Sequence, residues 1–192
     1  MVSKWTVLIL AMAIAAPASA APTVIPRPNV PANLEVPSGY TPFLLLQAEG
    51  TQNYVCVATA SGFAWTFFGP QATLFNSARA QQMTHFLSPN PVENNTPRAT
   101  WQHSGDSSAA WAAAIASSSD ANYVAPGAIP WLLLKVVGVQ YGPTLGEKLT
   151  RTAFIQRVNT AGGIAPATGC AAASDIGKKA LVPYTTDYVF YR

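Results

Sequence analysis

Apolar and polar positions alternate along most of this chain in short runs, and the runs are closed by glycine and proline rather than by helix caps. Residues 43–48, 54–58 and 63–68 are apolar or alternating, and Glu49-Gly50, Ser61-Gly62 and Gly69-Pro70 punctuate them. That rhythm of strand and turn predicts an antiparallel meander. Residues 73–75, 83–87 and 101–103 continue it. Between the last two, SPNPVENNTPRAT (88–100) is dense in proline and asparagine and reads as a loop. Residues 131–139, 150–158 and 182–191 are rich in β-branched and aromatic side chains, which suit a pleated, half-buried surface. SSAAWAAAIASSS (107–119) is ambiguous. Its alanines favour helix, whereas its serine flanks and its place after Gly105-Asp106 favour a strand, which is the reading adopted. The expected fold is all-β: an antiparallel β-sandwich or barrel of about nine strands with at most short helical turns.

The ends of the chain change this picture. Lys4, the apolar run 5–16 and Ala18-Ser19-Ala20 have the order of a secretory signal peptide, with cleavage expected after Ala20. The apolar run is shorter than the roughly 20 residues that span a bilayer, and the mature protein is expected to carry no transmembrane segment and to be secreted or periplasmic. Pro22, Pro26, Pro28, Pro31, Pro37 and Pro42 make residues 21–42 an extended arm, because proline lacks an N–H and biases its predecessor toward extended geometry. Residues 43–192 then form a single β-domain.

Export also bears on the cysteines. The chain has two, and in an oxidising compartment an isolated pair forms a disulfide. A Cys56–Cys170 bridge is expected, with free thiols or soft metal ligands as the alternatives.

Composition limits the chemistry. Only 10% of residues are charged, against roughly 25% in an ordinary domain. The net charge of +3 falls to +2 without Lys4 and reflects scarce acids rather than a basic face, so nucleic-acid binding is not expected. There is no G-x-S-x-G elbow, Walker lysine or dinucleotide fingerprint, and no cofactor is expected. His85, His103 and Asp106 are the candidates for hydrolytic chemistry. Gly105-Asp106-Ser107 invites comparison with the nucleophile block of GDS-type esterases, but those enzymes need a histidine downstream and both histidines here precede Ser107; a turn explains the tripeptide. A metal site is not expected, since His103 and Asp106 are three apart, a spacing that does not converge on one face of a strand. Trp65, Trp101 and Tyr184 are candidates for a stacking platform, with core and rim packing as their ordinary role. Arg157 sits within apolar FIQRVNT and is read as facing outward; facing inward it would need Asp187 or a carbonyl as partner.

VPSGY (36–40), YVC (54–56), FAWTFFGPQATLF (63–75), IPWLLLK (129–135), IQRVNTAGGIAPATGC (155–170) and VPYTTDYVFYR (182–192) together resemble a family of exported proteins, domain-of-unknown-function family 3455, with bacterial and fungal members. The resemblance spans most of the chain. It implies a secreted β-rich domain and assigns no activity. The reading adopted is a non-catalytic exported domain that binds an unknown ligand, glycan or cell-envelope surface; the alternative is an extracellular hydrolase using His85, His103 and Asp106.

Overall fold

The computed structural model describes residues 24–192; the expected signal peptide and cleavage site lie outside the described residues. Eight antiparallel strands close into a barrel in which each strand pairs with its neighbours in sequence and β8 returns to β1. They are β1 (Pro42–Thr59), β2 (Gly62–Phe75), β3 (Gln81–Asn90), β4 (Thr96–His103), β5 (Ala109–Ser118), β6 (Trp131–Gln140), β7 (Phe154–Gly162) and β8 (Lys179–Tyr191). Among the described residues helix is limited to three short 3-10 turns: Ala32–Leu34, Pro91–Glu93 and Ala173–Asp175. Among the described residues no helix is long and apolar enough to cross a membrane.

The strand count falls below nine because two expected turns are strand interior. Glu49-Gly50 lies within β1, where Gly50 pairs with Ala72. A side chain at Gly50 would meet the Gln71 carbonyl oxygen at 2.1 Å, so glycine serves a close approach of two backbones rather than a reversal. Gly69-Pro70 lies within β2 beside an irregularity in the β1–β2 register between Asn53 and Tyr54. Pairing of β2 with β3 begins only at Gln71, so the N–H that Pro70 lacks is not missed by that ladder. The expected loop 88–100 shrinks in the same way. β3 runs to Asn90 and β4 starts at Thr96, with Pro89 opposite Pro97. The ambiguous alanine segment is strand β5.

Alternation places one face of every strand inside the barrel. Leu46, Ala48, Leu74, Met83, Trp101, Ala110, Ala112, Leu134, Ile155, Tyr188 and Phe190 form the interior core, with Leu149 from the β6–β7 connection packed against them. The opposite face of β6–β8 is also apolar, and the proline-rich arm covers part of it. Leu34 and Val36 are buried against Leu133, Phe154, Val158, Val189 and Tyr191. The fully buried Gln156 donates from Nε2 to the Leu34 carbonyl at 2.7 Å and accepts from the Tyr191 hydroxyl, so the arm is fastened by a satisfied polar pair as well as by apolar burial.

The segment IQRVNTAGGIAPATGC divides into strand, turn and tether. β7 bulges against β8 between Val158 and Ala161, at Asn159, whose φ is 53° and whose side-chain amide donates to Asp187. Gly162 and Gly163 follow with φ of 68° and 85°. Cys170 is bonded to Cys56, which anchors the β7–β8 connection to β1.

Candidate functional site

The barrel interior is not filled. An eight-stranded barrel is just wide enough for side chains to fill it or for one small ligand, and here one wall is built from alanine. Ala112, Ala113 and Ala114 of β5 border a cavity of about 270 Å³. Pro70, Leu87, Leu132 and Leu134 supply further apolar wall, and Gln52, His85, Trp101, Arg157 and Tyr188 the polar groups. Phe67 and Leu87 line it while 50% and 42% exposed, so the cavity opens at their end of the barrel.

His85 is held rigidly. Its ring stacks on Trp101 with centroids 4.2 Å apart and planes 13° from parallel, and Tyr188 approaches both rings edge-on. Register explains the stack, since His85 lies opposite Trp101 across the β3–β4 ladder. The Thr100 carbonyl lies 2.8 Å from Nδ1. A carbonyl only accepts, so the proton sits on Nδ1 and Nε2 keeps its lone pair. Burial lowers the His85 pKa to about 3, helped by the Arg157 charge and opposed by the Thr100 carbonyl, and the ring is neutral at ordinary pH.

Arg157 corrects the outward reading. It lies opposite Tyr188 in the β7–β8 ladder and opposite Leu132 in the β6–β7 ladder, and all three line the cavity. Its partner is a carbonyl: Nε and Nη2 donate to Pro130 O at 3.2 and 2.8 Å. Asp187 lies one residue from Tyr188, on the alternate face, and is engaged by Asn159. The guanidinium sets the field of the interior. Burial raises the pKa values of Tyr54, Tyr184 and Tyr188, and the Arg157 charge opposes each rise.

Six buried polar side-chain atoms among the described residues have no hydrogen-bond partner, and four belong to the barrel interior: Gln52 Nε2, Trp101 Nε1 and the hydroxyls of Tyr184 and Tyr188. Tyr184 faces both Gln52 and Tyr188, and Tyr188 faces Arg157, in side-chain contacts close enough to shift the tyrosine pKa values, but none reaches full hydrogen-bond geometry. Gln52, Trp101 and Tyr188 all line the cavity and are at most 3% exposed. Groups left unpaired in this way cost about 1–3 kcal/mol each, and native proteins retain few of them.

The remaining sequence candidates fall elsewhere. His103 and Asp106 sit where β4 turns into β5, away from the cavity mouth, and they serve the turn. His103 Nδ1 accepts from the backbone N–H groups of Gly105 and Asp106, both at 3.2 Å. Nδ1 therefore carries a lone pair, and its 3.1 Å approach to Asp106 Oδ1 is not an ion pair in the neutral ring. Burial lowers the His103 pKa against the opposing pull of Asp106. Asp106 accepts from Ser108 N, Ser108 Oγ and Lys148 N at 3.0, 2.8 and 2.9 Å, tying two connections together. Trp65 is on the β1–β2 ribbon, where its Nε1 donates to Thr168 O at 2.9 Å beside the disulfide-anchored connection. Tyr184 is interior, at 2% exposure. Thus Trp101 and Arg157 share the cavity with His85, while His103, Asp106 and Trp65 do not. Gln52 escaped sequence reasoning. Gln52's place on the inward face of β1 is the signal that marks it, visible only once β1 is known to run unbroken through Gly50. Among the described residues no cluster of three histidine, cysteine, aspartate or glutamate side chains is placed to hold a metal ion.

Comparison with curated proteins and with solved structures finds no match. The sequence does match, over residues 37–192, the family described as "Protein of unknown function (DUF3455)". With the barrel, the disulfide and the cavity on view, the chain belongs to that family.

Proposed function

We propose that this protein is an exported, non-catalytic binding domain that holds a small molecule inside the barrel. The observation that carries the reading is the set of unpartnered buried donors, Gln52 Nε2, Trp101 Nε1 and the Tyr188 hydroxyl, around an otherwise apolar cavity. A few placed polar groups in an apolar cleft are the usual make-up of a ligand site. The cavity's 270 Å³ falls just below the roughly 300–1,000 Å³ typical of drug-sized ligands, which favours a small metabolite over a polymeric glycan. Export is supported by the leader pattern of residues 4–20 and agrees with the disulfide.

Hydrolysis by His85, His103 and Asp106 draws no support from the geometry. His103 and Asp106 are occupied by the β4–β5 turn, and a histidine with a pKa near 3 is a weak base at neutral pH. The binding reading is tested by native mass spectrometry of protein purified without denaturation, joined to a thermal-shift panel of small molecules and oligosaccharides. A retained small molecule, or a rise in melting temperature with a compound whose effect is lost in the Gln52→Leu variant, is the expected result. Stabilisation by oligosaccharides alone, unaffected by that variant, overturns it.

A further inference from the structure

We infer that the ligand is a singly charged carboxylic acid with a compact, ring-sized apolar body, its carboxylate received by Arg157 and the surrounding donors. The inference rests on the binding reading above and adds the chemical class of the ligand.

Charge comes first. A guanidinium offers five N–H donors. Arg157 uses one from Nε and one from Nη2, both on the Pro130 carbonyl, and it approaches the Tyr188 hydroxyl; among the described residues no well-formed hydrogen bond takes up Nη1. Among the described residues no carboxylate lies within ion-pair distance of Arg157, as the ion pairs involve Arg79, Arg98, His103 and Lys178. Arg157 is partly buried and its charge has no carboxylate beside it, so an anion entering the cavity would meet an unbalanced cation on the wall. The site's uncompensated charge is single. The other arginine on the cavity wall, Arg98, already makes a two-pronged pair with Glu93, both contacts at 2.9 Å. One available cation matches a carboxylate better than a dianionic phosphate.

Donor type comes next. Trp101 Nε1 can only donate, and Gln52 Nε2 is a donor atom; both lack partners, and the Tyr188 hydroxyl has a proton to give. The exception on the wall is His85, whose Nδ1–H is taken by Thr100. A site of mostly donors with one guanidinium asks for an acceptor-only group, and an ionised carboxylate is one. The rest of the ligand meets Pro70, Leu87, Ala112, Leu132 and Leu134. These surfaces favour an apolar body, and the flat His85–Trp101 stack at the wall suits a ring.

The test is titration of the full mature chain with benzoate, phenylacetate and 3-phenylpropanoate, each beside its uncharged amide, and with phenyl phosphate. Calorimetry gives affinity, and the Trp101 indole N–H resonance, assigned with Trp101→Phe, reports the site. The expected result is that at least one acid binds about ten-fold or more tighter than its amide and than phenyl phosphate, with the indole proton moving downfield as it gains an acceptor. Arg157→Met then weakens the acid at least ten-fold and leaves the amide within about two-fold. If that variant does not fold, the wild-type comparison of acid with amide decides alone. Amides binding as tightly as acids, with the indole signal responding, overturns the carboxylate inference and leaves the binding reading standing. Phosphate preferred over carboxylate overturns it too. No compound binding and no response at Trp101, in protein that also retains no molecule on purification, overturns both.

Discussion

Filling the cavity from its alanine wall should stabilise the protein and abolish its binding. Ala112 is 2% exposed, faces inward on β5 and borders the cavity. Leucine there adds three carbons. If they enter unfilled apolar space, burial at about 0.8 kcal/mol per carbon contributes about 2.4 kcal/mol, and fixing the new rotamer costs about 0.5–1 kcal/mol. The net is about 1.5–2 kcal/mol in favour of Ala112→Leu. For a chain of this length each kcal/mol moves the melting temperature by about 2–4 °C, so a rise of about 3–8 °C is expected. In urea the midpoint rises with an unchanged slope, the mark of a stability change without altered compactness. The same variant loses affinity for whatever the wild-type cavity holds, an exchange of stability for function common at binding sites. A melting temperature that falls, by the 1–3 kcal/mol that over-packing costs, refutes the reasoning, because it means the space beside Ala112 is already occupied by a close-packed core.

Three further outcomes follow from the same structure. His85 is protonated near pH 3 when folded but near 6.5 when unfolded, so between those values the unfolded chain binds the extra proton. Stability therefore stands at its full value above about pH 6.5 and falls as the pH drops, by about 1.4 kcal/mol per unit; urea titrations from pH 6.5 to 4 should show this steeper decline relative to His85→Gln, and equal slopes would refute it. Replacing both Cys56 and Cys170 by alanine removes a tether across 114 residues. The chain-entropy account makes that loss about 5 kcal/mol, to be read as the difference in urea midpoint, and a loss under 1 kcal/mol would count against it. Asp106→Ala frees three donors on two connections and should cost about 2–4 kcal/mol while leaving ligand affinity unchanged; an affinity that falls with stability intact would return Asp106 to the site.

The parts of the fold that were legible are those where composition and geometry agree. β6, β7 and β8 show in their β-branched and aromatic runs, and the cysteines in their isolation. In sequence β1 and β2 each resemble two strands, because Gly50 and Gly69-Pro70 look like turns. Only the partner strand reveals that Gly50 is needed for the closeness of the Gln71 backbone. The cavity was harder to read for a physical reason: it is made by what is missing. Ala112–Ala114 leave space only because of what faces them across the barrel, and nothing local in AAWAAAIASS marks which alanines point inward. Sequence proximity likewise puts His103 beside Asp106, and the fold uses the two side chains to clamp a turn. The partners of His85, namely Trp101, Arg157 and Tyr188, arrive from three other strands.

The closing of β8 onto β1 also sets the order in which the chain can assemble. Seven of the eight pairings join strands adjacent in sequence, so each is a hairpin that can form locally and early. The eighth joins Leu46 to Tyr188 and their neighbours, and it closes the longest loop of the fold, the largest single closure cost among the eight. Until that seam forms, β1 and β8 each present an unpaired row of N–H and C=O groups, the arrangement that lets one chain add onto another. Cys56 and Cys170 flank this seam, because Val55 pairs with Lys179 beside them. Oxidation of that pair locks the ring at its most distant join, so the reduced chain is the form exposed to edge-to-edge association, and the oxidised chain is the form protected from it.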